Sequence, residues 1–277
     1  MFISIITPIY NRANIIKKLY DSIVNNDDEL LSKIEWIVID DGSIDNIETI
    51  IKGFIQHDKI AIKYIKKENG GKHTALNVGF THASGEYVMI IDSDDYLLFN
   101  GLRVIVNNSN AAISIFKHAI TKSPNFKKEI YSLDDFLDIC GDSLFVFKRD
   151  ILIKYKFPEH RNENFVTEAV VFNKILYKEK ARCFNYEVVS GEYLPGGLSH
   201  SYQILLKNNP KGVLDLVNTN FSFNKLSKEI LKQTAFHFSA IFTIKNIIKV
   251  IKKYPLNKSI PLILATTYVL IKRRFKN

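Results

Sequence analysis

IIDSDDYL, residues 90–97, places three carboxylates directly after an apolar segment. The isoleucines are typical of the end of a buried strand, whereas Asp92, Asp94 and Asp95 repel one another and would be costly to bury. A hard divalent cation relieves such repulsion, because Mg²⁺ and Mn²⁺ take carboxylate oxygens and commonly combine one or two protein carboxylates with substrate phosphates. The stretch therefore predicts a metal–phosphate site at a strand end. A solvated loop or a helix N-cap is the alternative, since Asp is common in both.

The first hundred residues alternate between short apolar runs and segments of helical periodicity. The runs at residues 3–6, 36–39, 60–65 and 87–91 predict strands, and the segments at 15–24, 45–55 and 74–81 predict helices. Continuous apolar strands between helices indicate a parallel sheet covered on both faces. Ligands of such sheets bind at the carboxyl ends of the strands. Three of these ends carry polar clusters, at residues 7–11, 40–43 and 92–95.

The second half of the chain has a mixed pattern. It predicts strands at residues 112–116, 143–147 and 181–189, and a helix at 165–177. Beyond residue 226 the periodicity predicts two or three helices, including 237–253 and 261–274.

Composition is that of a folded protein, with 46% hydrophobic and 24% charged residues among 277. Cys140 and Cys183 form neither a disulfide framework nor a CxxC pair, which predicts reduced thiols. The N-terminal MFISIITPIYNR has no basic segment followed by an apolar run and a cleavage site, so it reads as a first strand and predicts a cytoplasmic protein.

The net charge of +9 is concentrated near the C-terminus. Residues 230–277 contain ten Lys or Arg and no Asp or Glu, and the rest of the chain has 28 basic and 29 acidic residues. This distribution predicts a local anionic partner and argues against nucleic acid as a partner.

Four motifs, in this order and spacing, resemble the N-terminal half of the family 2 glycosyltransferases, which have a GT-A fold. They are TPIYNR (7–12), VIDDGS (38–43), ENGGKHTALNVG (68–79) and IIDSDD (90–95). FPEHRNENFVTEAVVFNKI (157–175) and EYLPGGLS (192–199) resemble the acceptor-side half of bacterial members that build capsules, lipopolysaccharide and other surface glycans.

The resemblance covers about residues 1–200 and implies a fold, a division of the chain and a reaction. The fold is α/β, a mainly parallel Rossmann-like sheet flanked by helices with a C-terminal helical extension. The catalytic domain would span residues 1–205, with a nucleotide-binding half (1–106) and an acceptor-side half (107–205), and the basic extension would span 206–277. The implied reaction is inverting transfer of a sugar from a nucleotide-diphosphate sugar, with UDP the expected nucleotide, to a glycan or lipid-linked glycan.

The family's site residues fall on matching positions of this sequence. Around the base and ribose, the resemblance implies Thr7, Pro8, Tyr10, Asp40 and Asp41. Near the diphosphate and the metal, it implies Lys72, Asp92, Ser93 and Asp94, with Asp95 and His200 as weaker metal ligands. The implied cofactor is Mn²⁺ or Mg²⁺.

Inverting transfer needs one carboxylate to accept the proton of the attacking acceptor hydroxyl. Many family members carry Glu-Asp at the start of a helix in this region, whereas this chain has Thr167-Glu168-Ala169 and lacks the second acid. Glu168 aligns with that glutamate and is the predicted base. Glu163, five residues earlier, competes for the role, and a surface glutamate on an amphipathic helix remains the alternative.

The apolar residues 259–271 are too few to span a bilayer, which needs about 20. They are flanked by Lys258 and by Lys272, Arg273 and Arg274. Residues 240–277 are therefore predicted to contact the inner face of an anionic membrane, or else to pack on the catalytic domain or form a homodimer interface.

Three other functions fit parts of the pattern. A DxD-type phosphatase also places aspartates after a strand, but the TPIYNR strand end has no role in its mechanism. A nucleotidyltransferase typically begins with a Gly-rich basic loop, which this N-terminus lacks. A non-catalytic nucleotide- or glycan-binding, membrane-docking module would not need Glu168.

Overall fold

The computed structural model describes residues 1–119, 125–139, 141–191 and 202–275. The strands are β1 (Ile3–Ile9), β2 (Ile34–Asp40), β3 (Ala61–Lys66), β4 (Tyr87–Ile90), β5 (Asp95–Leu97), β6 (Ile113–His118), β7 (Ile130–Tyr131), β8 (Ser143–Lys148) and β9 (Ala181–Gly191). The first eight helices are α1 (Ile16–Val24), α2 (Asp28–Leu31), α3 (Ile47–Gln56), α4 (Lys72–His82), α5 (Gly101–Asn108), α6 (Leu133–Leu137), α7 (Arg149–Leu152) and α8 (Ala169–Lys178). The later helices are α9 (Tyr202–Asn208), α10 (Pro210–Phe221), α11 (Lys228–Phe238), α12 (Ile244–Lys253) and α13 (Leu256–Arg274), with a 3₁₀ turn at Ser239–Ile241.

One mixed sheet runs through the molecule in the order β3-β2-β1-β4-β8-β6-β9-β5, and β7 pairs with β9. The first four strands are parallel. Strand β8 is antiparallel to both β4 and β6, β6 is parallel to β9, and β5 is antiparallel to β9. The predicted α/β fold, with a mainly parallel sheet in its first half, is confirmed.

Strand β2 shows why the parallel strands read as continuous apolar runs. Ile34, Trp36 and Val38 lie in one hydrophobic cluster, and the alternate residues Ile37 and Ile39 lie in another. Since successive side chains point to opposite faces, helices must cover both faces of this strand.

The carboxyl ends of β1, β2 and β4 meet at one edge of the sheet. Ile9 pairs with Asp40, and the Asp41 amide donates to the Ile9 carbonyl over 2.9 Å. On the other side of β1, Ile6 pairs with Ile90. Strand β1 therefore continues three residues beyond the predicted 3–6, because its parallel pairing with β2 extends that far.

Three helix predictions in the second half were wrong in their bounds. The predicted helix 261–274 begins five residues earlier, since α13 starts at Leu256. Helix α8 begins at Ala169, four residues later than predicted. The predicted helix 237–253 is two helices, since α11 ends at Phe238 and α12 begins after Thr243, whose hydroxyl caps it by accepting from the Asn246 amide. Helices α9 and α10 were not predicted.

Helices α9 to α13 share a third hydrophobic cluster, which includes Leu206, Val217, Phe238 and Leu262. The predicted division at residue 205 falls inside α9 and stays a prediction. Within the described ranges, no helix is long and apolar enough to cross a membrane.

Candidate active site

A cleft of about 240 Å³ opens beside the end of β4. It combines residues from β4 and β5 with residues from β8 and α8, so both halves of the chain contribute. Its lining consists of Lys72, Ile90, Asp92, Asp94, Asp95, His118, Asp142, Ser143, Leu144, Phe145, Glu168, Phe172 and Val189.

The Lys72 ammonium joins the two halves of the cleft. It lies 2.7 Å from both carboxylate oxygens of Asp92 and 2.8 Å from Oε1 of Glu168. Burial opposes the charge of Lys72, but the two carboxylates outweigh that effect and raise the pKa of the ammonium. Lys72 is therefore a fixed cation between two residues that are 76 positions apart in sequence.

Asp41 determines where Lys72 lies. Its carboxylate accepts hydrogen bonds from the Gly70 and Gly71 amides over 3.0 and 2.7 Å, and it pairs with Lys67 at 2.7 Å. These bonds hold the loop that leads into α4, whose first residue is Lys72.

Gly71 is required in this loop by its backbone and its surroundings. Its φ is +91°, and a Cβ at this position would lie 1.7 Å from the Asn164 carbonyl oxygen. The same close approach brings the segment before Glu168 against the loop, so that Lys72 can reach Glu168. Asn209 fixes that segment from the other side by accepting from the Asn164 and Phe165 amides.

The acidic stretch forms the opposite wall of the cleft. Burial, reinforced by the charge of Asp92, raises the pKa of Asp94. Burial also raises the pKa of Asp95, although the nearby His118 opposes the effect. His118 Nε2 lies 3.1 Å from Asp95 Oδ1, which connects β6 to the start of β5.

These residues fit a divalent cation that arrives with a phosphorylated substrate. Among the described residues, no group of three or more His, Cys, Asp or Glu side chains is arranged to hold a metal ion. Asp92 and Asp94 nevertheless supply hard oxygen ligands in one cleft, and a cation would relieve the cost of ionising the half-buried Asp94. Such a cation would need substrate oxygens to complete its coordination.

The residues predicted around the base and ribose differ in their exposure to solvent. Thr7 and Asp40 are fully buried and have partners within the protein. The Thr7 hydroxyl accepts from the Trp36 indole over 2.9 Å, and Asp40 accepts from the Tyr64 hydroxyl and the Ser43 amide.

Tyr10 has 46% of its surface exposed at this edge, while Pro8 and Ser93 are buried. None of the predicted base- and ribose-side residues is among the described residues that line the cleft, nor is Ser93. The structure thus groups Lys72, Asp92, Asp94, Asp95 and Glu168 in one cleft, and its described lining does not include the residues predicted around the base.

The structure distinguishes the two candidate bases. Glu168 lines the cleft, directly before the first residue of α8. Glu163 does not line it, and its carboxylate accepts from the Lys211 and Gly212 amides over 2.9 and 3.0 Å at the N-terminus of α10. A carboxylate in this position stabilises a helix, because it satisfies unpaired amides and complements the helix dipole.

Sequence reasoning missed the residues on the far side of the cleft. His118, Asp142, Ser143, Phe145 and Phe172 line it. His118 could have been noticed from the sequence, because it closely follows the predicted strand 112–116. The other four residues lie in or next to segments with the pattern of an ordinary strand or helix. His200, the EYLPGGLS motif (192–199) and Cys140 lie outside the described residues.

The fold is that of GT-A glycosyltransferases, as comparisons with solved structures show. TarS 1–349 from S. aureus, crystallised with UDP-GlcNAc, superposes with a TM-score of 0.63 at 18% identity, covering 96% of this chain and 79% of that one. The mannosyltransferase PcManGT from Pyrobaculum calidifontis, solved with GDP-Man and Mn²⁺, gives a TM-score of 0.59 at 18% identity, with 97% and 79% coverage.

Residues 4–131 match Glycosyl transferase family 2, which confirms the predicted resemblance. A GalNAc(5)-diNAcBac-PP-undecaprenol beta-1,3-glucosyltransferase from Campylobacter jejuni is 32% identical over 195 residues, which cover 65% of this chain and 60% of that relative. Glycosyltransferase GlyA from Streptococcus pneumoniae is 40% identical over 95 residues, covering 34% of this chain and 13% of that one. The chain thus matches less than two thirds of the length of these relatives.

Proposed function

We propose that this protein is an inverting glycosyltransferase that moves a sugar from a nucleotide-diphosphate sugar to a glycan acceptor. The observation that carries the proposal is the Lys72 ammonium, which contacts Asp92 of the acidic strand end and Glu168 of the acceptor-side half in one cleft. Direct displacement needs a proton acceptor for the nucleophile and positive charge at the leaving group, and these contacts bring such groups together.

Lys72 would act on the leaving diphosphate. In the absence of donor its ammonium is shared between two carboxylates, and a diphosphate entering beside Asp92 offers more negative charge to the same nitrogen. As the bond between the anomeric carbon and the diphosphate oxygen breaks, negative charge grows on that oxygen, and a fixed ammonium stabilises it. Asp92 and Asp94 would hold Mn²⁺ or Mg²⁺, which when bound supplies further positive charge to the diphosphate.

Glu168 would act on the acceptor. Its carboxylate accepts the proton of an acceptor hydroxyl while that oxygen attacks the anomeric carbon and the diphosphate departs. One displacement inverts the anomeric configuration, and no second carboxylate nucleophile is needed. Release of Lys72 towards the diphosphate would free Glu168 for this role, so donor binding would prepare the base.

The acceptor half of the cleft is lined by Phe145 and Phe172, whose ring centroids are 5.1 Å apart. Aromatic faces beside Asp142 and Ser143 suit a sugar ring, which presents apolar C–H faces and polar hydroxyls at its edge. The name of the Campylobacter relative specifies an undecaprenol-linked acceptor. We therefore propose a lipid-linked glycan of a surface-glycan pathway as the acceptor of this protein, reached from the inner face of the cytoplasmic membrane.

UDP is the proposed nucleotide, and a thermal-shift screen of nucleotide sugars with and without Mn²⁺ tests the class of donor. A ligand that binds only the folded protein raises its melting temperature by mass action. We expect a UDP-sugar to raise it in the presence of Mn²⁺ and to do so less without Mn²⁺. If no nucleotide sugar shifts the transition in either condition, the proposed function is wrong.

A further inference from the structure

Helix α13 presents an apolar stripe on the side away from the protein. Ser259, Leu262 and Thr266 are buried on its inner side. Its exposed apolar residues recur three or four positions apart, so on a helix of 3.6 residues per turn they lie within an arc of about 120°, opposite the buried side. They are Leu256, Ile260, Leu264, Tyr268, Ile271 and Phe275.

The stripe is strongly exposed, and a helix in contact with α13 carries a second apolar face. Leu264 and Tyr268 each have 64% of their surface exposed. The preceding helix α12, which contacts α13, exposes Ile244, Ile248 and Ile251 on one side. Helices that merely rest on a domain expose scattered apolar residues, whereas adjoining apolar faces mark an interaction surface.

Cations border both apolar faces. Lys272 and Arg274 are exposed on the two sides of the α13 stripe. On α12, Lys245, Lys249 and Lys252 follow next to the exposed isoleucines. No acidic residue occurs between residues 230 and 277, so nothing in this segment offsets these charges.

We propose that the exposed faces of α12 and α13 form a membrane-docking surface for an anionic lipid bilayer. The apolar side chains would enter the interface between headgroups and acyl chains, and the cations would contact anionic headgroups. A second copy of the chain fits this surface poorly, because apposing two copies would bring two sets of like charges together. The proposed surface is inferred from the exposure and charge of these helices and does not depend on the identity of the sugar donor.

The inner side of α13 connects this surface to the active site. The Arg273 guanidinium lies 4.9 Å from the Phe236 ring centroid and donates to Gln203 Oε1 over 2.9 Å. The adjacent Tyr202 hydroxyl lies 3.4 Å from the hydroxyl of Thr167, the residue before Glu168. Docking through α13 would therefore hold the cleft at a fixed distance from the bilayer, within reach of an acceptor anchored there.

Co-sedimentation with vesicles tests the surface directly. The whole chain is mixed with vesicles of zwitterionic phospholipid alone or with about one third anionic phospholipid, at low and high salt. We expect at least ~10-fold more protein bound to the anionic vesicles at low salt, and a loss of most of that excess at high salt. The variant L264D/Y268D should lose at least ~10-fold of this binding, and K272E/R274E should lose the preference for anionic lipid.

The control variant Ile55→Asp changes an exposed apolar residue on helix α3, outside the proposed surface, and it should bind like the unmodified chain. Circular dichroism and binding of the nucleotide sugar verify that each variant is folded and that its donor site is intact. Absence of binding to anionic vesicles, or unchanged binding by L264D/Y268D, overturns the proposal. So does a dimer in sedimentation analysis that L264D/Y268D dissociates without any vesicle binding. None of these results bears on the transfer reaction, which is measured with a soluble donor.

Discussion

Replacing Lys72 by Met tests whether the central ammonium serves the reaction more than the fold. Met has nearly the length and apolar volume of the lysine side chain but no charge. The substitution leaves Asp92 and Glu168, which both lie within 2.8 Å of the lysine nitrogen, facing each other without a cation.

The structure sets the expected effect on stability. The Asp92 and Glu168 side chains are 41% and 39% exposed, so water screens their repulsion and each can turn away. Ion pairs of this exposure contribute about 0.2–1 kcal/mol each, and the repulsion between the carboxylates adds a similar amount. We therefore expect the free energy of unfolding to fall by only about 1–2 kcal/mol.

The expected effect on catalysis is larger. Removing a fixed group that stabilises charge developing in the transition state lowers turnover by about 10²–10³-fold. Urea unfolding measures the free energy of unfolding, and release of the nucleoside diphosphate in the presence of acceptor measures turnover. Lys52→Met is the matched control, since Lys52 makes an exposed ion pair with Glu48 on α3 and should change neither quantity measurably. Turnover of Lys72→Met within about threefold of the unmodified chain would refute the role of the ammonium.

Three further predictions concern the metal, acid stability and the loop before α4. Asp94→Ala should abolish Mn²⁺-dependent binding of the nucleotide sugar in calorimetry, because it removes a hard ligand; unchanged binding contradicts that role. Burial lowers the pKa of His73 to about 4, below its ordinary value of 6.5, so below pH 6.5 this histidine binds a proton in the unfolded chain but not in the folded chain. Stability should therefore fall by up to ~3 kcal/mol between pH 6.5 and 4, and chemical unfolding should show a shallower fall for His73→Leu; identical pH profiles count against this cause. Gly71→Ala should lower the free energy of unfolding by at least ~2 kcal/mol, owing to its positive φ and the Asn164 carbonyl, whereas Gly53→Ala, which meets no atom within 4 Å, should be neutral or stabilising.

The nucleotide-side half of the fold could be predicted from sequence because its signals are local. Strands β1, β2 and β4 are buried along nearly their whole length and so read as apolar runs, and helices α1 and α3, which follow β1 and β2, have clear periodicity. The acidic residues at the end of β4 could likewise be placed in a site, since strand ends converge at one edge of a sheet.

The second half was less predictable because its boundaries depend on contacts between distant residues. Nothing local marks residues 165–168 as non-helical. Asn209, some forty residues later, accepts from the Phe165 amide at the start of this segment. The helical pattern also runs through residues 239–243, where the chain turns instead.

The most important pairing in the cleft was not predictable from spacing. Lys72 and Asp92 were both expected near the donor, and Glu168 near the acceptor, but a pattern gives no sign that one ammonium contacts both carboxylates. Asp41 is a second case. Its position suggested contact with the base, whereas the structure shows its carboxylate bound to Lys67 and to the Gly70 and Gly71 amides.

Comparison of Glu168→Gln with Glu163→Gln is the most direct test of the central claim that Glu168 is the base for sugar transfer. Turnover with donor and acceptor is measured for both variants, together with donor affinity. We predict that Glu168→Gln keeps its donor affinity and loses at least ~10²-fold in turnover. Glu163→Gln should keep turnover and lose about 1 kcal/mol of stability, because it weakens the cap of α10. Near-normal turnover of Glu168→Gln, with or without a loss in Glu163→Gln, would contradict the account.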